Sequence, residues 1–434
     1  MQRSAILVGV ICLVSQAQTA FAQEAAESPP YSGGFLSRSS LTGDWNGGRD
    51  DLAAKGVTVD ATLTQIGQSV VDGGKNDDWE YSGRFNLIER FDTQKMGLWP
   101  GGFLTLQLDG NWSDAVNPNT GALMPANSAQ LYPFPASDNF NVSELSYAQF
   151  LSHYFGVQVG KLETISVGDN NEFAHGKGDT QFLNLALNAN PLLVLTVPYS
   201  TLGAAAIVLP TQDPHSALVT FAVLQANGNS KEIGFADLDD DALSFLAQGR
   251  MRTGFFGLTG HQLVGGLFSN KTFTSLDQRI GFIVDNGRLE TEDDSWAVFY
   301  NFDQFLYEID KNAGRGAGIF ARFGASDGDP NLMEYFVSAG FGGTGMLSSR
   351  PHDRFGIGYY YISISNPTFQ GPLTSRSFLQ DEHGFEIFYN VAITPWLLLT
   401  PDLQVIRGAQ KERLGSGAKV DTATILGFRL QLIL

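Results

Sequence analysis

The sequence contains very little cysteine and lacks long apolar runs beyond its first residues. Its 434 residues include one cysteine, Cys12, which excludes a disulfide scaffold and a metal centre built from thiolates. A membrane-spanning helix needs about 18 or more consecutive apolar residues, and no such run follows position 20. The sequence therefore does not describe a helical membrane protein.

Basic residues are also scarce. The 27 lysines and arginines stand against 45 acidic residues, a formal net charge of −18, which argues against nucleic acid as a partner because phosphates attract clustered cations. Disordered chains lack aromatic residues, whereas 12% of this chain is aromatic. With 49 glycines and 32 phenylalanines, the composition favours an ordered protein built mainly of β-strands.

The N-terminal residues have the pattern of a secretory signal peptide. Arg3 precedes a short apolar stretch at 5–14, and Ala-Phe-Ala at 20–22 fits the rule for the cleavage site. We expect cleavage near Ala22 and a Ser-, Pro-, Gly- and Ala-rich arm at 23–40. The alternative is an uncleaved N-terminal helix that anchors the chain.

Short segments of alternating polarity recur along the rest of the chain, and the C-terminal one is the clearest. One of its faces carries Leu426, Phe428, Leu430, Leu432 and Leu434, and the other carries Ile425, Gly427, Arg429, Gln431 and Ile433. A period of two with one apolar face is typical of a strand between lipid and a wet interior. Similar alternation occurs at 104–109, 296–303, 317–324 and 396–405.

A soluble β-sandwich would also alternate, but two features favour a membrane barrel. The polar faces are not the lysine and glutamate mixture of a solvated surface, and aromatic residues such as Trp99 and Trp396 lie near segment ends, as in interfacial girdles. We predict an all-β fold: a transmembrane antiparallel β-barrel of about 16 strands over 41–434, with long extracellular loops. A short N-terminal helix is predicted at 44–55, ending at Gly56, and a second helical segment at 182–189.

Several motifs resemble those of the carbohydrate-selective porin (OprB) family. These are LTGDW at 41–45, GLWPGG at 97–102, FARFGASDGDPN at 320–331, RPHDRFGIGYY at 350–360, LTPDLQ at 399–404 and LGFRL at 426–430. Their order and spacing span 41–434. The chain departs from the family pattern at Asn46, where the family has glycine, and at Leu434, where phenylalanine is usual. The resemblance implies a monomeric outer-membrane barrel of a Gram-negative bacterium that passes neutral sugars passively.

No constellation of residues supports an enzyme. The six histidines do not occur at metal-ligand spacing such as H-E-x-x-H, and no serine and histidine pair is identified that would act together. The acidic run at 237–241 lacks the glycine and glutamate that a calcium loop requires, so we interpret it as an exposed loop. We predict no catalytic activity, no metal and no cofactor.

Polar residues on the inward faces are the candidates for the pore lining. If the apolar faces meet lipid, the polar alternates point inward, because a charge facing lipid at midplane costs about 2–4 kcal/mol. Opposite charges such as Arg84 with Asp92, and Glu386 with Arg429, could occur together and create a transverse field that orients a dipolar sugar. Each charged residue could instead be part of a structural ion pair that stiffens the wall. The candidates for lining the pore and contacting sugar are Arg84, Arg90, Asp109, Trp112, Arg322, Glu386, Asp402, Gln404 and Arg429.

Two long irregular stretches are candidates for a constriction. The stretch 110–141 is too irregular for a strand, and long loops are usually functional. We expect either this stretch or 164–180 to fold into the mouth of the barrel, with Trp112, Tyr132 and Phe134 available to solutes. The alternative is a mobile extracellular loop.

The predicted function is passive, carbohydrate-selective diffusion through an outer-membrane porin. The partners would be mono- and short oligosaccharides and outer-membrane lipid, because weak multiple contacts allow a solute to enter and leave. A general or cation-preferring porin is the alternative, since the chain is acidic. Two further hypotheses come from other functional classes: a secreted β-rich sugar-binding protein and a membrane-embedded hydrolase.

Overall fold

The computed structural model describes residues 31–133, 140–232, 242–276, 289–311, 313–365, 379–413 and 416–434. The predicted leader at 1–22, part of the arm at 23–40, Phe134 and the acidic run at 237–241 lie outside these residues. Within them, no helix has both the length and the apolar character needed to cross a membrane.

The described residues form a closed antiparallel barrel of sixteen strands, which confirms the predicted fold class and strand number. Neighbouring strands follow chain order, and β1 closes the ring against β18, with Leu63 opposite Leu432. The strands are β1 (Val57–Gly74), β2 (Trp79–Asp92), β3 (Gly102–Ser113), β4 (Phe140–Phe150), β5 (Phe155–Glu163), β6 (Ser200–Val208), β7 (Ala217–Gln225), β8 (Leu243–Thr253), β9 (Gly260–Ser269), β10 (Phe273–Thr274), β11 (Thr291–Glu292), β12 (Ser295–Asp310), β13 (Arg315–Ser326), β14 (Met333–Thr344), β15 (Arg354–Ile364), β16 (Glu382–Thr394), β17 (Leu397–Arg407) and β18 (Asp421–Ile433). The pair β10–β11 forms a separate two-stranded sheet.

The two ends of the barrel differ in the length of their connections. One end has short turns such as 151–154 and 254–259, and the other end has long connections such as 114–139 and 164–199. Bacterial outer-membrane barrels keep short turns in the periplasm and long loops outside. We therefore name the two ends the periplasmic end and the extracellular end.

Helices are few and short in the described residues. They are Gly48–Ala54, Asn117–Thr120, Ile165–Gly168, Leu185–Asn188 and Pro191–Thr196, with 3₁₀ turns at Ser128–Leu131 and Phe255–Gly257.

Both predicted helices are present, but each is shorter than predicted. The first ends at Ala54, and Gly56 stops it as expected, because that residue has φ +89° and an added Cβ would lie 2.7 Å from the Asp92 carbonyl oxygen. Within the second, the Asn184 side chain caps Leu185–Asn188 by accepting the Ala186 N–H at 3.0 Å.

The interpretation of 110–141 as wholly irregular is wrong at both ends. Residues 110–113 complete β3, and 140–141 begin β4. The described part between them, 114–133, turns into the barrel interior. The connection 164–199 does the same, so both of the proposed inward segments enter the lumen.

The hydrophobic core lies inside the barrel, between the inward segment 164–199 and the strands β13–β15. The inner face of these strands is rich in glycine, and side chains from the segment lie directly on it. A Cβ added at Gly356 would lie 2.7 Å from Phe182, one at Gly358 would lie 2.7 Å from Leu187, and one at Gly324 would lie 2.6 Å from Leu192. Phe182, Leu187 and Leu192 are fully buried. Glycine therefore brings the segment against the strand backbone, and we call this face the packed wall.

Candidate functional site

The inward alternation predicted from the sequence is present. On β18, Arg429 and Gln431 are buried inside the barrel, whereas Leu426 and Phe428 are exposed on the outer surface. The predicted candidates Arg84, Asp109, Arg322, Glu386, Asp402 and Gln404 are likewise buried on inward positions of their strands. Arg90 also points inward, close to the periplasmic end.

Arg322 on β13 holds the segment 164–199 from within the barrel. Its Nε donates to both carboxylate oxygens of Asp169, at 2.8 and 3.1 Å. Its terminal nitrogens donate to the carbonyl oxygens of Leu187, at 3.0 Å, and Ala174. Arg322 and Asp169 are both buried, and Arg322 ties three residues of the segment, Asp169, Ala174 and Leu187, to the packed wall.

Residues of β16, β17 and β18 hold the middle of the same segment. Glu386 accepts the backbone N–H groups of Leu183 at 2.6 Å and Asn184 at 2.8 Å. Gln404 accepts the Asn184 side-chain amide at 3.1 Å. Arg429 donates to the carbonyl oxygens of Gly178 at 2.7 Å and Gln181 at 2.9 Å. The predicted pairing of Arg429 with Glu386 is replaced by these backbone contacts.

The segment 114–133 rests on Glu382, a residue that the sequence analysis missed. Its carboxylate accepts the N–H groups of Leu123 at 2.5 Å, Met124 at 3.0 Å and Ala409 at 2.9 Å. The signal that could have found it is its spacing, because it lies four residues before Glu386 and therefore on the same face of β16.

A second buried ion cluster joins the segment 164–199 to β2 and β3. Arg84 donates to Asp109 at 2.9 Å and to Asp179 at 2.5 Å. Asp109 also accepts the Tyr199 hydroxyl at 2.7 Å. Arg84 is thus paired with Asp109 and Asp179 rather than with the predicted Asp92. Burial raises the pKa of the Asp179 carboxyl, and the nearby Arg84 guanidinium opposes that rise.

Trp112 does not line the pore, and the prediction that it does is wrong. It lies on the outward face of β3, three positions after the inward-facing Asp109. Its indole covers Gly83, where an added Cβ would lie 2.1 Å from the ring, and its Nε1 donates to the Tyr81 hydroxyl at 3.4 Å. Trp112 therefore belongs to the outer surface.

Tyr132 enters the lumen as predicted, yet it is fully buried there. Its ring lies 4.8 Å from the Tyr199 ring, and the Lys177 ammonium lies 5.8 Å from it. It therefore offers no free face on which a solute could stack.

The accessible polar surface of the lumen lies on the opposite side, on β1, β2 and β5. Asp60, Asn86 and Gln158 occupy inward positions there and are partly or largely exposed. Arg90 donates to Asp60 at 2.7 Å, and the exposed fractions of the two side chains are 10% and 51%. We call the face formed by Asp60, Asn86, Arg90 and Gln158 the open wall, because Asp60, Asn86 and Gln158 keep exposed surface there.

The segment 164–199 presents titratable side chains inside the barrel. The backbone N–H of Glu172 donates to Asp303 at 3.1 Å. Lost hydration inside the barrel, followed by the Asp303 carboxylate, raises the pKa of Glu172 to about 8. Lost hydration, followed by Arg354 and Arg322, lowers the pKa of His175 to about 3. Neutral pH therefore leaves both side chains uncharged.

Comparisons with known proteins agree with this architecture. The chain is similar to a structure of Pseudomonas putida OprB at high pH, with a TM-score of 0.76 and 18% identity over 95% of this chain and 100% of that one. A low-pH structure of the same protein matches with a TM-score of 0.54 and 16% identity, over 91% and 98% of the two chains. Porin B of Pseudomonas aeruginosa is 27% identical over 138 residues, which cover 28% of this chain and 29% of that relative.

The family comparison covers most of the sequence. The model of the carbohydrate-selective porin, OprB family, matches residues 76–433. Proteins of a porin family with this fold are channels of the Gram-negative outer membrane, which agrees with the closed barrel and its apolar outer face. The chain belongs to the carbohydrate-selective porin family, OprB.

Proposed function

We propose that the protein is a passive outer-membrane channel through which mono- and short oligosaccharides diffuse into the periplasm. The observation that carries this proposal is the open wall, on which Asp60, Asn86, Arg90 and Gln158 offer donors and acceptors of both charge signs. Such groups replace the hydration shell of a neutral sugar through contacts weak enough for release. No cofactor and no catalytic step are part of the proposal.

The predicted contact residues divide into two roles in this proposal. Asp60, whose side chain is 51% exposed, meets the solute directly, and the largely buried Arg90 holds its carboxylate in place. The buried candidates act indirectly, by fixing the inward segments that shape the passage. They are Arg84, Asp109, Arg322, Glu386, Asp402, Gln404 and Arg429.

A cation-preferring general porin is the second candidate, and the exposed carboxylate of Asp60 favours it. A fixed negative charge in a narrow passage raises the local concentration of cations. The two candidates differ in the solute that passes fastest.

The test is liposome swelling with solutes matched in size. Glucose, glucosamine and gluconate present a neutral, a positive and a negative solute of similar dimensions. We expect glucose to enter fastest, and Asp60→Asn to slow glucosamine relative to glucose. Equal rates for all three solutes would contradict sugar selectivity, and glucosamine as the fastest solute would favour the second candidate. Heat-modifiable migration on SDS gels verifies that each preparation is folded.

Export and assembly belong to the same proposal. We propose that the leader 1–22 is cleaved near Ala22, that 23–40 forms an arm and 41–434 the barrel domain, and that the channel is monomeric. The described part of the arm supports its location at the periplasmic end, because Trp396 in the β16–β17 turn donates to the Phe35 carbonyl oxygen at 2.7 Å. N-terminal sequencing of the mature protein checks the cleavage site, and the native mass in detergent checks the monomer.

A further inference from the structure

The chain that precedes β1 contacts the place where the barrel closes. We call the pairing of β1 with β18 the seam, because it joins the first and last strands of the ring. At the periplasmic end of the seam, the Leu434 N–H donates to the Ala61 carbonyl oxygen at 2.9 Å, and the Leu41 N–H donates to the Ile433 carbonyl oxygen at 2.8 Å. A segment that precedes the barrel in sequence therefore bonds to the end of its last strand.

Arg49, in the helix Gly48–Ala54, joins both strands of the seam. Its Nη2 donates to the Val59 carbonyl oxygen on β1 at 2.7 Å and to the carbonyl oxygen of Leu434, which directly follows β18, at 3.1 Å. Its Nη1 donates to the Ser40 hydroxyl at 2.7 Å. One guanidinium therefore bonds the chain before β1, β1 itself and the end of β18.

The Arg49 side chain is largely removed from water. Arg49 is 5% exposed, and its guanidinium carbon lies 4.3 Å from the centre of the Tyr31 ring and 4.9 Å from that of the Trp45 ring. Aromatic faces attract a cation, but a buried charge that loses its hydrogen-bond acceptors incurs the cost of its lost hydration. Val59 and Leu434 lie within reach of one guanidinium because the seam is closed. Separation of the two strands would therefore leave Arg49 without part of its acceptor set.

The turn that places Trp45 against Arg49 has an unusual backbone conformation. Gly43, Trp45, Asn46 and Gly47 all have positive φ, of 68°, 53°, 58° and 87°. Tryptophan rarely adopts this region, and such outliers persist where the surrounding contacts fix them. Asparagine tolerates the region, so Asn46 replaces the glycine of the family pattern without loss of the turn. The turn thus sets the indole against the guanidinium.

We propose that Arg49 is a latch that forms when the seam closes and then resists lateral opening of the barrel between β1 and β18. Every other pair of neighbouring strands in the ring is consecutive in sequence and is joined by the chain between them. The seam is held by noncovalent contacts alone, and it is therefore the place at which the ring would open first. Arg49 acts there by holding the two strand ends together and does not contact the solute.

The test compares unfolding rates with and without a covalent seam. In a Cys12→Ser background, Thr62→Cys with Ile433→Cys places two thiols directly opposite each other across the seam, where a disulfide is formed or reduced at will. Arg49→Ala is made in this background, and Arg38→Ala is the matched control. Arg38 donates to the Leu41 carbonyl oxygen, within the chain before β1. The variants are folded into lipid vesicles and unfolded in urea, and the loss of heat-modifiable migration gives the rate.

The effect of Arg49→Ala should depend on whether the seam is covalent. With the thiols reduced, we expect Arg49→Ala to unfold about tenfold faster than its parent, because it removes buried contacts that hold the closed ring. Arg38→Ala should unfold less than about twofold faster. With the disulfide formed, Arg49→Ala should unfold at nearly the rate of its crosslinked parent. Arg49→Lys should fall between, because an ammonium keeps the charge but lacks the fork that reaches several acceptors.

Two results would overturn the proposal. If Arg49→Ala unfolds no faster than Arg38→Ala with the thiols reduced, Arg49 does not hold the seam. If Arg49→Ala remains as much faster than its parent when the disulfide is formed, Arg49 stabilises a part of the barrel other than the seam. Should Arg49→Ala fail to fold, Arg49→Lys is measured in the same two states, and the same two results decide the outcome.

Discussion

The packed wall and the open wall enclose the same lumen but are built from different residues. The packed wall combines inward glycines with the buried anchor Arg322, and it is covered by the segment 164–199. The open wall carries polar side chains where the packed wall carries glycines. Its ion pair joins Arg90 to Asp60, whose carboxylate is exposed to the lumen. The difference shows that an inward charge on a barrel strand can have either of two roles. Where a segment covers it, the charge holds the fold, and where the wall is open, it meets the solute.

The largest expected effect separates the ion pairs of the two walls. Arg322→Ala leaves the buried Asp169 carboxylate without its ion-pair partner, and we expect a loss of about 3–5 kcal/mol in the free energy of unfolding. Arg90→Ala removes an ion pair that is half exposed on its acidic side, and we expect a loss below about 1 kcal/mol. Urea unfolding of both variants in lipid vesicles, followed by tryptophan fluorescence, measures the two losses. Equal losses of unfolding free energy in the two variants would contradict the claim that the charges of the two walls have different roles.

A smaller effect is expected from filling the glycine surface of the packed wall. An added Cβ at Gly356 would lie 2.5 Å from Phe388 and 2.7 Å from Phe182, so Gly356→Ala should cost about 1–3 kcal/mol through overpacking. Gly249→Ala on β8 is the matched control, because the nearest atom to its added Cβ is 3.9 Å away, on Val219. The same unfolding measurement compares the two variants. If Gly249→Ala loses as much unfolding free energy as Gly356→Ala, the loss comes from replacing glycine in any strand and not from overpacking of the packed wall.

The smallest effect concerns the charge that the segment carries into the lumen. Because the pKa of Glu172 is raised to about 8, the carboxyl is neutral at pH 6 and ionised at pH 10. One added negative charge should raise the ratio of cation to anion permeability about two- to fivefold over that range, an effect of roughly 1 kcal/mol or less. Reversal potentials under a KCl gradient measure the ratio, and Glu172→Gln should remove the Glu172-dependent rise. An unchanged rise in that variant would assign the titration to another group.

The sequence predicts the architecture well because alternation is a local property. Leucines and phenylalanines at every second position of β18 predict its lipid face, and the same parity correctly predicts that Arg429 points inward. The interpretation of 110–141 as a loop misplaces Trp112. Continuing the alternation from Asp109 by three residues places it outward, as the structure does.

The partners of the inward residues depend on how the segments fold into the lumen, and parity carries no information about that. Arg84 could be predicted to need a carboxylate, but Asp179 is 95 residues away in sequence and reaches it only when 164–199 enters the barrel. Glu386 accepts backbone N–H groups of Leu183 and Asn184, which every sequence offers and which therefore leave no compositional signal. Roles of this kind become visible only in the folded chain.

The pairing of β1 with β18 has a kinetic consequence. Thr62 lies opposite Ile433, so the ring closes only after strands separated by nearly the whole described chain have met. Contacts of such sequence separation form slowly, because the entropy of bringing the ends together must be lost first. Until then the unfinished sheet carries two unpaired edges, each a template for adding a foreign strand. The protein therefore depends most on periplasmic chaperones in the interval between the formation of β1 and its pairing with β18.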